Sequence, residues 1–499
     1  MKVLGPEVFG LSFLLTACGS PSEKSFLSTT KDAGNTAVST ATEARSADGS
    51  YISWREHIID DEAIGGVAIR GGDGLAMADL DRDGHVDIVS VHESDTEYDG
   101  VPDGHIRIAF GGESPDQWER VTLAEGAEAA APEDVAIGDL NGDGHLDVVA
   151  ACELAHLIYF QNPGQNARAT HWQRVIPAAT TGRGSFIRVF LGDLDEDSRL
   201  EVVAANKGAQ SPNAAAIEPT PISWFDIDGP PLDGAAWLEH ELARVRWPIN
   251  AHPVDLDGDG DLDVVGGSVA ERRIMWFENL VGEAGRELVE HPVKVLWDSV
   301  AEGAAVGREV APQDAIVDGS ELDFVDLNGD ERLDIVTVEG AFRDRLVWLE
   351  QPTDRGGNWN HHRIGDYSPD SLAGLAVADI TDDGYPDVMT GGYSRGPRDM
   401  DGNVSQNDPL GRIAWFENPG KAGSGWVRHD ISRRKRGMFD EFVPHDMNGD
   451  GTIDFVSTRG NSATFDGVFW LEQVRTSEPI RSFQPARQED SEEVPLPRR

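Results

Sequence analysis

Cysteine is almost absent from this sequence, with only Cys18 and Cys152 among 499 residues. That scarcity excludes the disulfide framework of small secreted domains, as well as CxxC redox pairs and cysteine-built zinc sites. Basic residues are also few, 42 Lys and Arg against 89 Asp and Glu, for a formal charge of −47. Such a chain disfavours nucleic acid and anionic membrane surfaces as partners. The apolar stretch near the start, Val8 to Thr16, is too short to cross a bilayer. Neither a phosphate-binding loop nor a GxSxG elbow occurs, so two large classes of enzyme lose their sequence signature.

What the chain does have is aspartate, crowded into short turns. Residues 255–263 read DLDGDGDLD and run straight into the apolar VVGG. Carboxylates held this close repel one another unless a cation neutralises them, and oxygen ligands at alternate positions suit Ca²⁺. Asp255, Asp257 and Asp259 stand at positions 1, 3 and 5, Gly260 permits a sharp turn at position 6, and Asp263 closes the loop at position 9. An EF-hand would continue to a bidentate Glu at position 12 on a helix, but position 12 here is Gly266 in a strand-like run.

The pattern occurs seven times, which makes it the repeat of an array. The first copy offers Asp79, Asp81, Asp83 and Asp87; the second Asp139, Asn141, Asp143 and Asp147; the third Asp193, Asp195, Asp197 and Glu201. After the copy at 255 come Asp326, Asn328, Asp330 and Asp334; then Asp379, Thr381, Asp383 and Asp387; and last Asp446, Asn448, Asp450 and Asp454. The loops starting at 79, 139, 255 and 446 combine oxygen ligands at all four positions with Gly at position 6. The other three depart from this: Ser198 and Glu331 replace the glycine, and Thr381 is a neutral ligand. Up to seven Ca²⁺ ions are therefore expected, four of them in complete sites. These loops hold 28 of the 89 acidic residues, so much of the charge is ligand charge.

Two further motifs recur in phase with the loops, and both read as strands because aromatic and β-branched residues fill them. One is IAWFENPG at 413–420, with counterparts at 157–164, 222–229, 274–280, 346–352 and 468–474. The other is WVRHDI at 426–431, with counterparts in every unit. A copy of the second motif, WREHII at 54–59, precedes the first aspartate loop, and none follows the last VFWLEQV. A ring in which the N-terminal strand completes the C-terminal blade resolves the mismatch and protects strand edges. The fold predicted is all-β, a seven-bladed β-propeller of four-stranded blades over residues 51–475.

A D-x-[DN]-x-D-G-x-x-D loop between short strands, seven times over, resembles the FG-GAP or VCBS repeat family, the calcium-bearing propeller of integrin α-chain heads and bacterial surface proteins. The W-F-E-N-P motif is similar to a subgroup that includes the propeller of aldos-2-ulose dehydratase. The resemblance implies fold and calcium, and leaves activity open because one fold hosts many functions.

At the N-terminus, LTAC at 15–18 fits a bacterial lipoprotein box, with Cys18 as the lipidated residue and 1–18 as the signal segment. Residues 19–50, rich in Ser, Thr and Ala, read as a flexible tether, and 476–499 as a disordered tail. The expected location is the outer membrane or cell surface, with the periplasmic face as an alternative, and with the lipid as the only membrane contact. A monomer is expected.

Two function classes stay open. A binding or adhesion module would present its long insertions, 92–105, 207–221, 299–322 and 394–412, to a protein or glycan. A lyase or dehydratase would place a metal or an acid/base pair at the channel, for which His252, His445, Glu133, Asp134 and Asp314 stand at the right point of the repeat. No catalytic residue is assigned. The repeated tryptophans 224, 276, 348, 415 and 470, the once-per-blade histidines and Cys152 read as scaffold.

Overall fold

Each aspartate loop is followed by six residues that are buried to the last one, for example DIVSVH, DVVAAC and DVVGGS. A strand covered on both faces has no reason to alternate, which is why these runs are continuously apolar or small. In the computed structural model each is the second strand of a four-stranded antiparallel sheet, and seven such sheets form a ring. The structure describes residues 39–94, 100–213, 215–282, 285–296, 316–340, 342–395, 402–420, 425–488 and 490–497.

Blade one shows the plan. Gly72–Ala78 is innermost, Asp87–His92 second, His105–Gly111 third and Trp118–Glu125 outermost. The innermost strands of successive blades pack side by side around the central channel. Apolar side chains fill the space between neighbouring blades: Val89, Val91, Ile106 and Ile108 of the first meet Val148, Ala150, Ile158 and Phe160 of the second. Cys152 is fully buried in that cluster, and burial pushes its thiol up to about 12, as expected of scaffold.

Blade seven closes as anticipated. Tyr51–Asp61 pairs antiparallel with Gly467–Thr476, from Tyr51 opposite Thr476 to Asp61 opposite Gly467. Two blades carry an extra edge strand: Lys294–Leu296 lies parallel to Asn358–Asp366 in blade five, and Phe483–Gln484 parallel to Tyr51–Asp61 in blade seven.

That last pairing corrects the expected domain limits. The described part of the tail is not free chain: Phe483 is 1% exposed, and the peptide N–H of Trp54 donates to Ser482 at 2.9 Å. Asp490 bridges the buried Arg434 and Arg459, and Glu492 pairs with Lys435 at 2.7 Å. The tail's Pro- and Glu-rich composition suggested disorder because its partner, the SRRKR run at 432–436, is remote in sequence and mostly buried. The tether is likewise shorter than 19–50. Ala44 is 3% exposed, the Thr42 N–H donates to Ile480 at 2.8 Å, and the Ala47 N–H donates to Thr381 at 2.8 Å. Cys18 and the signal segment lie outside the described residues.

Candidate functional site: aspartate loops on one face, a charged channel on the other

In a blade whose strands run antiparallel from centre to rim, the first-to-second and third-to-fourth connections lie on one face. The second-to-third connections and the crossings to the next blade lie on the other. All seven aspartate loops are first-to-second connections, so they share a face. The insertions at 92–105, 207–221 and 394–412 are second-to-third connections, and 299–322 enters an innermost strand from the same side. All four insertions therefore lie on the face opposite the aspartate loops. Residues 95–99, 214, 299–315 and 396–401 of them are outside the described residues.

The loops owe their shape to hydrogen bonds within each turn. In the first, both carboxylate oxygens of Asp79 accept backbone N–H groups, from Asp83 at 3.1 Å and Gly84 at 3.0 Å, and Asp83 accepts from His85 at 2.9 Å. Position 6 is left-handed in every copy, including Ser198 (φ 70°) and Glu331 (φ 69°), where a side chain carries a steric cost that glycine avoids. Position 4 is left-handed as well, with Arg82, Glu196 and Asp382 standing among glycines. The sequence signal for that was present, since four of the seven copies have Gly there.

Position 9 has a second task that spacing did not reveal. Asp263 accepts the N–H of Leu256 at its own loop (3.2 Å) and the N–H of Asn279 at the end of the third strand (2.8 Å). Asp87, Asp147, Asp334, Asp387 and Asp454 repeat this double clamp. Burial pushes these carboxylates up, Asp87, Asp263, Asp334, Asp387 and Asp454 to about 7 and Asp147 to about 6, with neighbouring loop aspartates adding to the effect. Glu201, the long variant, is raised to about 7 by the same burial.

The Asn or Gln of the W-F-E-N-P motif ties neighbouring loops together. The Asn279 side-chain amide donates to Leu262 of its own loop (3.0 Å) and to Leu194 of the preceding blade's loop (2.7 Å). Asn162 spans to Leu80, Gln351 to Leu256 and Gln473 to Ile380 in the same way. In the same motif, tryptophan faces the histidine of the outer strand. Trp224 and His240, Trp348 and His362, and Trp470 and His57 stack with centroids 4.2 Å apart, Trp415 and His429 at 4.4 Å, and Trp276 with His291 at 5.2 Å. Once-per-blade repetition marks these pairs as scaffold.

The residues present suit a hard cation. Ligand atoms of Asp79, Asp81 and Asp87, of Asp193, Asp195 and Asp197, and of Asp255, Asp257 and Asp259 each lie within 4.8 Å of one another. One buried oxygen of Asp193 has no hydrogen-bond partner. Sequence reasoning missed the arginines. Arg168 of blade two reaches Asp81 (2.5 Å) and Asp83 (2.7 Å) of the first loop, and Arg355 of blade five reaches Asp257 (2.7 Å). Arg199 and Arg332 pair with Asp197 and Asp330 inside their own loops. Among the described residues, the ligand positions of the loops at 139 and 446 have no such ion pair.

The opposite face opens on the channel, in a cavity of about 710 Å³. Its wall combines Asp73, Glu93, Glu133, Asp318, Glu321 and Asp440 with Arg188, Lys207 and Arg343, and Trp247 and Tyr393 contribute aromatic surface. Arg188 lies 3.1 Å from Asp440 and 3.9 Å from Glu321, and Lys207 lies 3.8 Å from Glu133 and contacts Glu153.

Of the four candidate channel residues that are described, only Glu133 lines this cavity. Asp134 is buried beside it and spent on the N–H groups of Val135 and Val189, both at 2.9 Å. His252 sits between Phe190 and Phe324, with centroids 4.6 and 5.1 Å away, and burial lowers its pKa to about 4. His445 is exposed next to an aspartate loop, and Asp314 lies outside the described residues.

Comparison with known proteins agrees on the repeat. A family model described as FG-GAP-like repeat matches residues 79–150 and 139–204. No curated protein matches the chain. Among solved structures it is similar to one titled "Crystal structure of BBS1N in complex with ARL6DN, soaked with mercury", at 10% identity and a TM-score of 0.43, over 88% of this chain and 100% of that one. The chain carries FG-GAP-like repeats, built into a seven-bladed β-propeller.

Proposed function

We propose that this chain is a calcium-bearing binding propeller, whose aspartate-loop face holds the scaffold together and whose opposite face docks a protein or glycan. The observation that carries this reading is the placement of all four long insertions on one face, around the mouth of a polar cavity, away from the aspartate loops. Loops on a rigid scaffold are where specificity is usually built, and a concave site with a few convergent polar groups is the default binding surface.

Ca²⁺ would be held by positions 1, 3 and 5 of each loop, with the position-9 carboxylate using lone pairs left over from its backbone clamps. The loops at 139 and 446 are the best sites, because no arginine competes for their carboxylates. In the loops at 79 and 255 a cation would displace a guanidinium. Bound calcium neutralises the loop charge and stabilises the folded chain by mass action.

The lipid anchor on Cys18, and with it an outer-membrane or cell-surface address, belongs to the same reading and rests on LTAC alone. Labelling with a fatty-acid analogue should mark the protein and leave a Cys18→Ser variant unmarked. The enzyme alternative is weaker for its histidines, since neither His252 nor His445 lines the channel cavity.

The binding reading is tested by screening the full chain against glycan arrays and surface-protein panels with calcium present. A hit should weaken at least tenfold when residues 207–221 are replaced by a short Gly-Ser turn, and should persist when exposed loop residues such as Asp382 are changed. A hit indifferent to the insertion, or lost only with Asp382, would overturn it.

A further inference from the structure

The channel cavity differs from the aspartate loops: Asp73, Glu93 and Glu133 do bring ligand atoms within 4.8 Å of one another, but the space is far larger than one ion needs, and its charge is mixed but unbalanced. Glu133, Asp318 and Glu321 line it at 7–8% exposure, and Asp440 is half-buried. Behind the lining lie three more carboxylates, Glu153 against Lys207, and Asp134 and Glu441 beside Arg188. The cations set among them are Arg188, Lys207 and Arg343, whereas Arg272 and Arg395 are exposed at the rim. Among the described residues, buried carboxylates thus outnumber buried cations. Consistent with that deficit, burial with neighbouring acids pushes Glu441 up to about 8.

A second observation points into the same space. Ser320 lines the cavity at 1% exposure, and its hydroxyl has no hydrogen-bond partner among the described residues. Buried polar atoms in native proteins almost always have partners, so an orphan hydroxyl on a cavity wall marks a place for a hydrogen-bonding guest.

We infer that this cavity takes an organic cation, a primary ammonium or guanidinium group, carried by whatever docks on the insertion face. The inference rests on that face being the docking face. An anion would meet the carboxylates and an apolar group would strand them. A cation makes up the missing charge, and the protein already shows the geometry: Arg188 and Lys207 are held among the same acids by contacts of this kind. Ser320 accepts a hydrogen bond from such a guest, and the Trp247 ring offers a face on which a guanidinium stacks.

The test is calorimetric titration of the full chain, with calcium saturating, against agmatine, maltose and Mn²⁺ separately. Agmatine should bind saturably, weaken at least tenfold in a Glu133→Gln/Glu321→Gln double variant, and weaken with added salt. Because that variant removes buried charges and its folding is in question, a second uses the exposed rim: Arg272→Ser should tighten agmatine binding about threefold with an unchanged melt. The inference is overturned if agmatine does not bind, if both variants leave its binding unaltered, or if only maltose or Mn²⁺ binds. Insertion-dependent capture of a glycan or protein without agmatine binding would remove the cation inference alone; loss of both would remove the docking face too.

Discussion

The two faces of the ring were built under different rules. On the aspartate-loop face every blade repeats the same turn, down to left-handed backbone at positions 4 and 6, and six of the seven have a double-clamped aspartate at position 9. On the insertion face the blades differ: some second-to-third connections are short turns, others run beyond a dozen residues, and the charges that meet at the channel come from different blades without repetition. Repetition marks what all blades share, a hydrogen-bonded acidic turn, to which several add a tie to the neighbouring blade. Irregularity marks what only the whole ring does.

That contrast makes graded predictions. The largest effect belongs to a clamp: Asp263→Ala strands the buried N–H groups of Leu256 and Asn279, so denaturant unfolding should show a loss of about 4 kcal/mol even without calcium. By contrast, shortening residues 210–213 on the insertion face should move stability by less than about 0.5 kcal/mol. Equal losses at the two places would erase the distinction between the faces.

The next effect is set by pH. His252, wedged between Phe190 and Phe324, has a folded pKa of about 4 against 6.5 unfolded. Below pH 6.5 the unfolded chain takes the proton first, so stability falls as pH drops toward 4 and levels off below it. The loss should reach about 3 kcal/mol, and His252→Phe should remove that part of the slope. A slope unchanged in the variant would show that His252 is not the group responsible.

Asn279→Ala cuts the tie between the third and fourth loops and should cost about 2 kcal/mol, read from the denaturation midpoint, since two buried carbonyls lose their donor. The smallest effect has the opposite sign. Glu331→Gly relieves a left-handed glutamate and should stabilise by about 1 kcal/mol. A destabilised variant would mean that the Glu331 side chain has a role the turn does not explain.

The sequence made the repetitive face legible and most of the other face not. Seven loops in register, followed by continuous apolar runs, announced the blades, and the stray WREHII announced closure by Tyr51–Asp61. The asparagine of W-F-E-N-P was visible but mute, because its partner carbonyl belongs to another blade some 85 residues away. The tail was misread for the same reason: Asp490 has meaning only beside Arg434 and Arg459. In the channel, position in the repeat put Glu133 on the cavity wall, while His252 does not line that cavity. The two phenylalanines that hold His252 come from the innermost strands of the flanking blades, a contact the repeat pattern does not announce.

The claim that the repeating face is a calcium scaffold meets its most direct test in the thermal melt of the full chain at millimolar calcium and after chelation. With several sites each adding about 1 kcal/mol at extracellular calcium levels, the account predicts that chelation lowers the melting temperature by roughly 10 °C or more and that added calcium restores it. A melt that is the same with calcium, with chelator and after calcium is returned would contradict it.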